Sequence, residues 1–534
     1  RADPHRIRGN VASLRDGLAR LERGNPGSKP GLAALDEAAA QALAQLDPSL
    51  GGLRSAPKFP QCALFEMIWR AGLRNGDNTA LRAIIVTCER ICQGGIYDHL
   101  GGGFARYSTD PLWLVPHFEK MLYDNAQLIG LLTLVWQSTG KALFAERVRE
   151  TVDWVMREMR AEGGAFAASL DADSEGVEGK FYVWSETEIE EALGPDAHIF
   201  KKAYDVSADG NWEGTNVLNR LRVPVLADEE EAKLPALRER LLTRRDSRPR
   251  PAWDDKVLTD WNGLMIAALA KAGFVFDRPD WIAAAREAYD FIRNALIVDG
   301  RLMHSYRLGR ARHAAMLDDY ANMARAAVAL YEAGAGDDTL DHARAWLAEL
   351  DAHYWDETAH GYYTTADDAP ALIARPKSIL DRALPAGNAV ALEASARLTL
   401  LRGDAVLRDR AEQLVGAFAG QLDSNALAVP SYVNSIELLQ AATQIVLVGN
   451  RNTAEIKAFL DVLKHHGNAA STIAVVAPGH DFPTDHPAAG KGQVDGRATA
   501  YVCHGQSCSL PITEATALTA TLAGRAPSDD ALGQ

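Results

Sequence analysis

The chain has 534 residues, and its 56 Lys and Arg against 71 Asp and Glu leave a formal charge of −15 at pH 7. That balance argues against a free nucleic-acid binder. The longest apolar stretches are broken by Lys, Arg or Asp, so nothing reads as spanning a bilayer. A composition of 47% hydrophobic and 24% charged residues is that of a folded, soluble chain, long enough for several domains or one large toroid.

In chain order, Arg1 to Arg6 lack an initiator Met and an apolar targeting core, which reads as a chain cut from something longer. Apolar residues then recur at helical spacing over 32–46, 60–73, 78–93, 117–137 and 141–160. After an interruption they resume over 260–275, 278–297, 315–334, 337–352, 385–402, 404–421 and 431–441. The segments come in pairs, and the connectors share a Gly-aromatic cue: Gly94-Gly95-Ile96-Tyr97, Gly163-Gly164-Ala165-Phe166 and Gly361-Tyr362-Tyr363, with Gly51-Gly52-Leu53 as an aliphatic version. A hairpin with one apolar stripe must bury it against its neighbours, so this pattern predicts a closed ring of six αα-hairpins over 31–441.

Two stretches depart from it. Residues 161–258 contain short β-like runs at Gly179–Trp184 and Asn216–Leu218 and a charged helical stretch from Asp228 to Arg245, which reads as an elaborated insert. From about 442 to 525, Gln444–Gly449 as a strand, 452–465 as a helix and Ser471–Val476 as a strand predict a small α/β appendage on the outside of the ring, followed by a tail over 526–534. The fold class is therefore mainly α: an (α/α)6 toroid with a β-containing insert and a C-terminal α/β appendage. Five cysteines without a Cys-x-x-Cys pair argue against a disulfide scaffold and a zinc knuckle, and fit a reducing, cytoplasmic compartment. No metal site or cofactor is expected. Cys503 and Cys508, with only His504 nearby, lack a fourth zinc ligand.

The densest chemistry runs from Gly94 to Asp124. It holds Asp98, His99, Arg106, Tyr107, His117, Glu119, Lys120, Tyr123 and Asp124, with Pro116 suited to the first turn of a helix. On such a helix Glu119 and Tyr123 share a face, as do Lys120 and Asp124. The acidic loop from Asp171 through Asp173 begins like a calcium loop, but its twelfth position is Tyr182, so an EF-hand is rejected. It leads instead to Tyr182 and Trp184. Further candidates sit where helices begin: Asp255, Trp261 and Asn262; Asp318, Asp319 and Tyr320; and Asn388. N-capping explains acids at such positions equally well. Yet a toroid gathers these ends around one funnel, and carboxylates beside aromatic rings suit sugar hydroxyls and sugar faces. The common-funnel expectation places Asp98, His99, His117, Glu119, Asp171, Asp255 and Asp318 as acid/base candidates. It assigns substrate contacts to Arg106, Tyr107, Tyr123, Asp124, Asp173, Trp184, Trp261, Asn262, Asp319, Tyr320 and Asn388.

The run Gly94–Asp124 resembles the most distinctive block of the family typified by YyaL and spermatogenesis-associated protein 20. Ser55–Pro60, Asp171–Gly176, Asn211–Asn216, Asp254–Gly263, Leu317–Tyr320, Gly387-Asn388 and Cys503 with Cys508 follow in the same order. The resemblance implies a six-hairpin, glycosidase-like toroid preceded by a thioredoxin-like domain, which would lie before residue 1 and serve as a partner, with residues 1–30 as its connecting segment. Toroids of this kind look like those of sugar 2-epimerases, isomerases and glycoside hydrolases. An epimerase needs two bases flanking a sugar C2, for which His99 and His117 are available. A hydrolase needs two carboxylates about 5–9.5 Å apart. The expected function is that of a carbohydrate-active enzyme on a small saccharide, neutral or cationic because acids outnumber Arg106 and Lys120 in the candidate lining. The alternative is a non-catalytic module presenting substrates to the thioredoxin-like domain.

Overall fold

The computed structural model describes residues 24–370 and 372–523, together with positions 9, 11, 13, 14 and 17. The tail over 526–534, and most of the connecting segment before residue 24, lie outside the described residues. Twelve long helices occupy the twelve periodic segments: α1 (Leu32–Ala44), α2 (Cys62–Asn75), α3 (Asn78–Gln93), α4 (Leu122–Thr139), α5 (Ala142–Glu158) and α6 (Thr259–Val275), then α7 (Pro279–Ala295), α8 (Leu317–Ala333), α9 (Thr339–His353), α10 (Gly387–Arg402), α11 (Ala405–Asn425) and α12 (Pro430–Ala441).

The even-numbered helices form the inner wall. Each packs on the next in the order α2, α4, α6, α8, α10, α12, and α12 returns to α2, which closes a ring of six. The odd-numbered helices pack outside their hairpin partners. The burial pattern follows from this arrangement. Outer helices such as α3 and α7 bury one stripe, whereas α4 and α6 are buried on nearly every side. Every inner helix begins at the same rim, because the chain always reaches it from the outer helix at that end. The inner-to-outer turns at the opposite end are short, and Gly140, Gly334 and Gly403 close three inner helices there in the left-handed conformation. All long connectors therefore lie at one rim.

Each Gly-aromatic connector has a fixed partner. The Phe104 backbone N–H donates to Asn125 Oδ1 at 2.7 Å, and Asn125 Nδ2 donates back to the Phe104 carbonyl at 3.1 Å. Asn262 holds both backbone groups of Phe166 at 2.8 and 2.9 Å, and Asn388 holds those of Tyr362 at the same two distances. An amide side chain is the one group that can return both a donor and an acceptor to a buried peptide unit. An Asn in the first turn of an inner helix thus pins the preceding connector, and the glycine beside the ring lets it come close. At Gly103 (φ 80°), a Cβ would lie 2.7 Å from the Trp154 ring.

Three local expectations are corrected. Pro116 does not start a helix: Pro116-His117 pairs with Tyr107-Ser108, Lys120-Met121 pairs with Ser169-Leu170, and α4 begins only at Leu122. Glu119 and Lys120 therefore precede the helix, and the two expected i,i+4 pairs do not form. The run Gly179–Trp184 is a turn rather than a strand, because Gly179, Tyr182 and Val183 hydrogen-bond among themselves. The insert closes its own small core around Trp184, Phe200 and Leu241.

The appendage is more than a β-α-β unit. Thr443–Val448 pairs parallel with Ser471–Val476 and antiparallel with Thr499–His504, and α13 (Ala454–Lys464) covers one face. It does not sit on the outer wall. Arg397 of α10 donates to the Ser471 carbonyl at 3.0 Å, Ile473 N donates to Glu332 of α8 at 3.1 Å, and Gln137 of α4 donates to the Lys464 carbonyl at 3.1 Å. These residues end inner helices, so the appendage caps the end of the ring opposite the long connectors. Cys503 and Cys508 are joined as a disulfide across a strand pair, and Cys62, Cys88 and Cys92 are free and buried. No helix among the described residues is long and apolar enough to cross a membrane.

Candidate functional site

The residues read from the sequence fall into three groups. The first is consumed by the structure. Asp98 receives Lys120 Nζ and Arg245 Nη1, both at 2.8 Å, and the backbone N–H groups of Leu100 and Gly101. Burial works against its charge, but Arg245 and Lys120 prevail and hold the carboxyl far below the usual range. His99 is buried with Nε2 2.9 Å from the Gly94 carbonyl, and burial pushes the imidazole down to about 3, so it stays neutral. Trp184 sits in the core of the insert under the Arg248 guanidinium. Asn262 and Asn388 have their amides committed to Phe166 and Tyr362, and the Tyr320 hydroxyl accepts from Leu302 N at 3.2 Å. The structure gives these six other work than the catalytic and substrate-binding roles expected of them.

A second group stands apart. Asp171 and Asp173 are exposed in the insert, where Asp173 N donates to Asp171 at 3.3 Å. Asp255 pairs with Arg307.

The third group forms an arc of the rim spanning the starts of α4, α6 and α8. His117 stacks on Tyr107 at 5.1 Å, holds Glu178 through Nδ1 at 2.7 Å, and approaches Glu119 through Nε2 at 3.8 Å. Glu119 accepts from Arg106 at 3.0 Å. Beside this pair Asp124 is buried, its Oδ2 has no hydrogen-bond partner, and burial raises its carboxyl well above the ordinary value. Tyr123 meets the Trp261 ring edge to face at 4.7 Å, linking α4 to α6.

On the far side of Trp261 lies a cluster that the sequence reading left incomplete. Asp319 is almost fully buried and accepts from His304 Nδ1 at 3.0 Å, from Asp260 N at 3.1 Å and from Met316 N at 2.8 Å. The bond to Asp319 raises the His304 imidazole above its ordinary value, so the two form an ion pair. Burial next to that ionised carboxylate raises Asp260 and keeps it protonated. Burial raises Asp318 to about 6, with Asp319 contributing in the same direction. Gly387 makes room for it: a Cβ there would lie 3.0 Å from Asp318 Oδ1. Asp381, ahead of α10, is likewise raised to about 6 by burial.

Asp260 lay inside a run singled out from the sequence, but nothing in its spacing marked it apart from Asp254 and Asp255. His304 falls on Arg301–Arg307, a hairpin strand with no sequence signal. One ligand atom from each of Asp260, His304 and Asp319 lies within 4.8 Å of the others, the donor set of a cation site, with His304 Nδ1 already engaged by Asp319. A second set, His353, Asp367 and Asp368, is more exposed.

The fold and this arc define an α/α toroid with carboxylic acids gathered at the starts of its inner helices. No protein-family model matches the chain. It is similar to proteins named spermatogenesis-associated protein 20, with 29% identity over 522 residues to the Homo sapiens protein and 29% over 524 to that of Mus musculus. Each alignment covers 88% of this chain, which spans 66% of the relative's length. An uncharacterized protein of Caenorhabditis elegans is 27% identical over 527 residues, 87% of this chain and 70% of its own. Solved structures with a similar course include a D-mannose isomerase (TM-score 0.48, 12% identity, 73% of this chain and 86% of that one). A cellobiose 2-epimerase from Spirochaeta thermophila gives a TM-score of 0.47 at 13% identity, over 77% and 86% of the two chains.

Proposed function

We propose that this chain is a carbohydrate-active enzyme, epimerase-, isomerase- or glycosidase-like, whose rim arc carries out acid/base chemistry on a neutral saccharide. The observation that carries the reading is the pair of unlike acids at the starts of α6 and α8. Asp260 is kept protonated and can donate a proton, while Asp318, poised near pH 6, is mostly ionised at neutral pH and can accept one. Half-buried Trp261, backed by the buried Tyr123 ring, offers an apolar face on which a sugar ring can stack, and Arg106 and Glu119 offer hydroxyl contacts.

The electrostatic reason for a neutral substrate differs from the one read off the sequence. Lys120 belongs to the Asp98 cluster, the Glu119 and Asp319 charges are matched by Arg106 and His304, Asp260 is a protonated acid, and burial raises the Asp124 carboxyl. Asp318 is left without a matching cation, so the arc keeps a small negative excess, which suits an uncharged ligand and disfavours an anionic one. A thioredoxin-like partner domain and a cytoplasmic location belong to the same proposal, the location now resting on the three free buried thiols alone, since Cys503 and Cys508, expected unpaired, are joined.

The test is proton NMR of mannose and of cellobiose incubated with the protein in deuterated water. Loss of the C2 proton signal, or release of glucose from cellobiose, is expected from the wild type and is abolished in Asp318→Asn. Saccharide binding without either reaction would favour the binding-module reading. No binding of any of these sugars would overturn the proposal.

A further inference from the structure

Below the rim, the inner helices enclose a cavity of about 200 Å³ whose floor is the C-terminal appendage. This is the volume of a handful of waters at about 30 Å³ each, or of a small organic molecule. Leu264, Ala268 and Val390 supply apolar wall. Four basic side chains and three acidic ones also line it.

Three of the four cations are matched. Arg70 pairs with Glu66 at 3.1 Å and with Glu437 at 2.5 Å. Arg325 pairs with Glu393 at 3.4 Å. Arg397 pairs with Glu393 at 3.0 Å and with Glu332 at 3.5 Å. The fourth, Lys271 near the end of α6, makes no ion pair or hydrogen bond with any described residue. Burial depresses its ammonium, Glu66 and Glu332 partly restore it, and Arg397 and Arg325 repel it. Nor can Glu332 serve as its counter-charge: burial raises that carboxyl, which already accepts from Arg397 and from Ile473 N. An ammonium facing a chamber of mixed polar and apolar wall without a partner of its own costs stability, and such a cost is retained where a ligand supplies the missing charge.

We infer that the chamber beneath the rim is a binding site for a small organic monocarboxylate, whose carboxylate pairs with Lys271 and whose apolar body lies against α6 and α10. The site is separate from the rim arc. None of the arc's residues lines the chamber, and Lys271 lies about 16 Å along α6 from Asp260. The assignment also gives the appendage a role, since the chamber has no floor without it.

The experiment is isothermal titration and thermal unfolding of the full chain with butyrate, butyramide and inorganic phosphate. Butyrate should bind and raise the unfolding temperature, butyramide should do neither, and phosphate should bind more weakly than butyrate. Lys271→Met should lower butyrate affinity at least about tenfold. The same variant should unfold about 1–2 °C higher than wild type without ligand, because an uncompensated charge has been removed. Lys271→Arg should restore part of the affinity. A lower unfolding temperature in Lys271→Met would make the lysine a structural residue and overturn the inference. So would unchanged butyrate binding in that variant, equal binding of butyramide, or tighter binding of phosphate. None of these outcomes bears on saccharide turnover at the rim.

Discussion

Asp98 and Asp260 are both buried aspartates at connectors of the same rim, and their surroundings drive them in opposite directions. Asp98 faces Lys120 and Arg245 and accepts two backbone N–H groups, so its charge is overcompensated and its carboxyl falls. Asp260 faces Asp319, whose charge is already matched by His304, so its carboxyl rises. Burial alone therefore says nothing about function. What distinguishes a structural carboxylate from a poised one is whether the partners around it complete its charge or compete with it.

The sharpest way to break this comparison is Asp98→Ala. It leaves the Lys120 ammonium and the Arg245 guanidinium, each about 3% exposed, buried without their counter-charge. The expected loss is about 3–5 kcal/mol, among the largest a single substitution produces. Denaturant unfolding measures it, and a loss under about 1 kcal/mol would show that the cluster does not hold the insert to the ring.

A smaller loss is expected from Asn262→Ala, which strands the N–H and carbonyl of Phe166 in the core. It should cost about 1–3 kcal/mol. If Asn262 instead contacted substrate, the variant would keep its stability and lose only ligand affinity.

That pair of residues shows how much was legible in the sequence. Helical periodicity placed all twelve ring helices to within a few residues, because a hairpin that must bury a stripe on its neighbours writes that demand into every third or fourth residue. The Gly-aromatic cue marked the connectors for a local reason: the glycine admits a ring and the peptide beside it needs an amide partner. The site was harder to read. Asn262 and Asn388 resembled sugar-binding amides, yet the residues that satisfy them, Phe166 and Tyr362, lie 96 and 26 positions away. His304 had no signal because its role depends on a hairpin folding back over the start of α8. Lys120 was read as part of a helix surface, although its partner Asp98 is fixed by strand pairing between Lys120-Met121 and Ser169-Leu170. Local patterns report local energetics, and charge partners chosen by tertiary contact leave no such trace.

The two aspartates should also differ in how stability responds to pH. Asp260 has a raised carboxyl, so the folded chain keeps a proton that the unfolded chain releases near pH 4. Stability is then fully present below that value and falls as pH rises through the raised one. Asp260→Asn should remove that decline and gain on the order of 1–2 kcal/mol over wild type at the alkaline end. For Asp98 the sign is reversed: its contribution is present above about pH 4 and lost in acid. Urea midpoints measured from pH 4 to pH 9 on wild type and Asp260→Asn decide the matter. Parallel curves would mean that Asp260 titrates normally.

The smallest expected effect concerns Asp171, which shared with Asp98 and Asp318 the expectation of a catalytic role. It is exposed, accepts only the N–H of Asp173 through its side chain, and lies outside the contacts that link Arg106, Asp124, Trp261 and Asp318. Water already solvates its charge, so Asp171→Asn exchanges one hydrated polar group for another. Stability should change by less than about 0.5 kcal/mol, and saccharide turnover should match wild type in the assay that Asp318→Asn abolishes. A conserved unfolding midpoint with turnover lost would move the reacting centre from the rim arc to the insert loop. The comparison between spent and poised carboxylates would then have been drawn at the wrong pair.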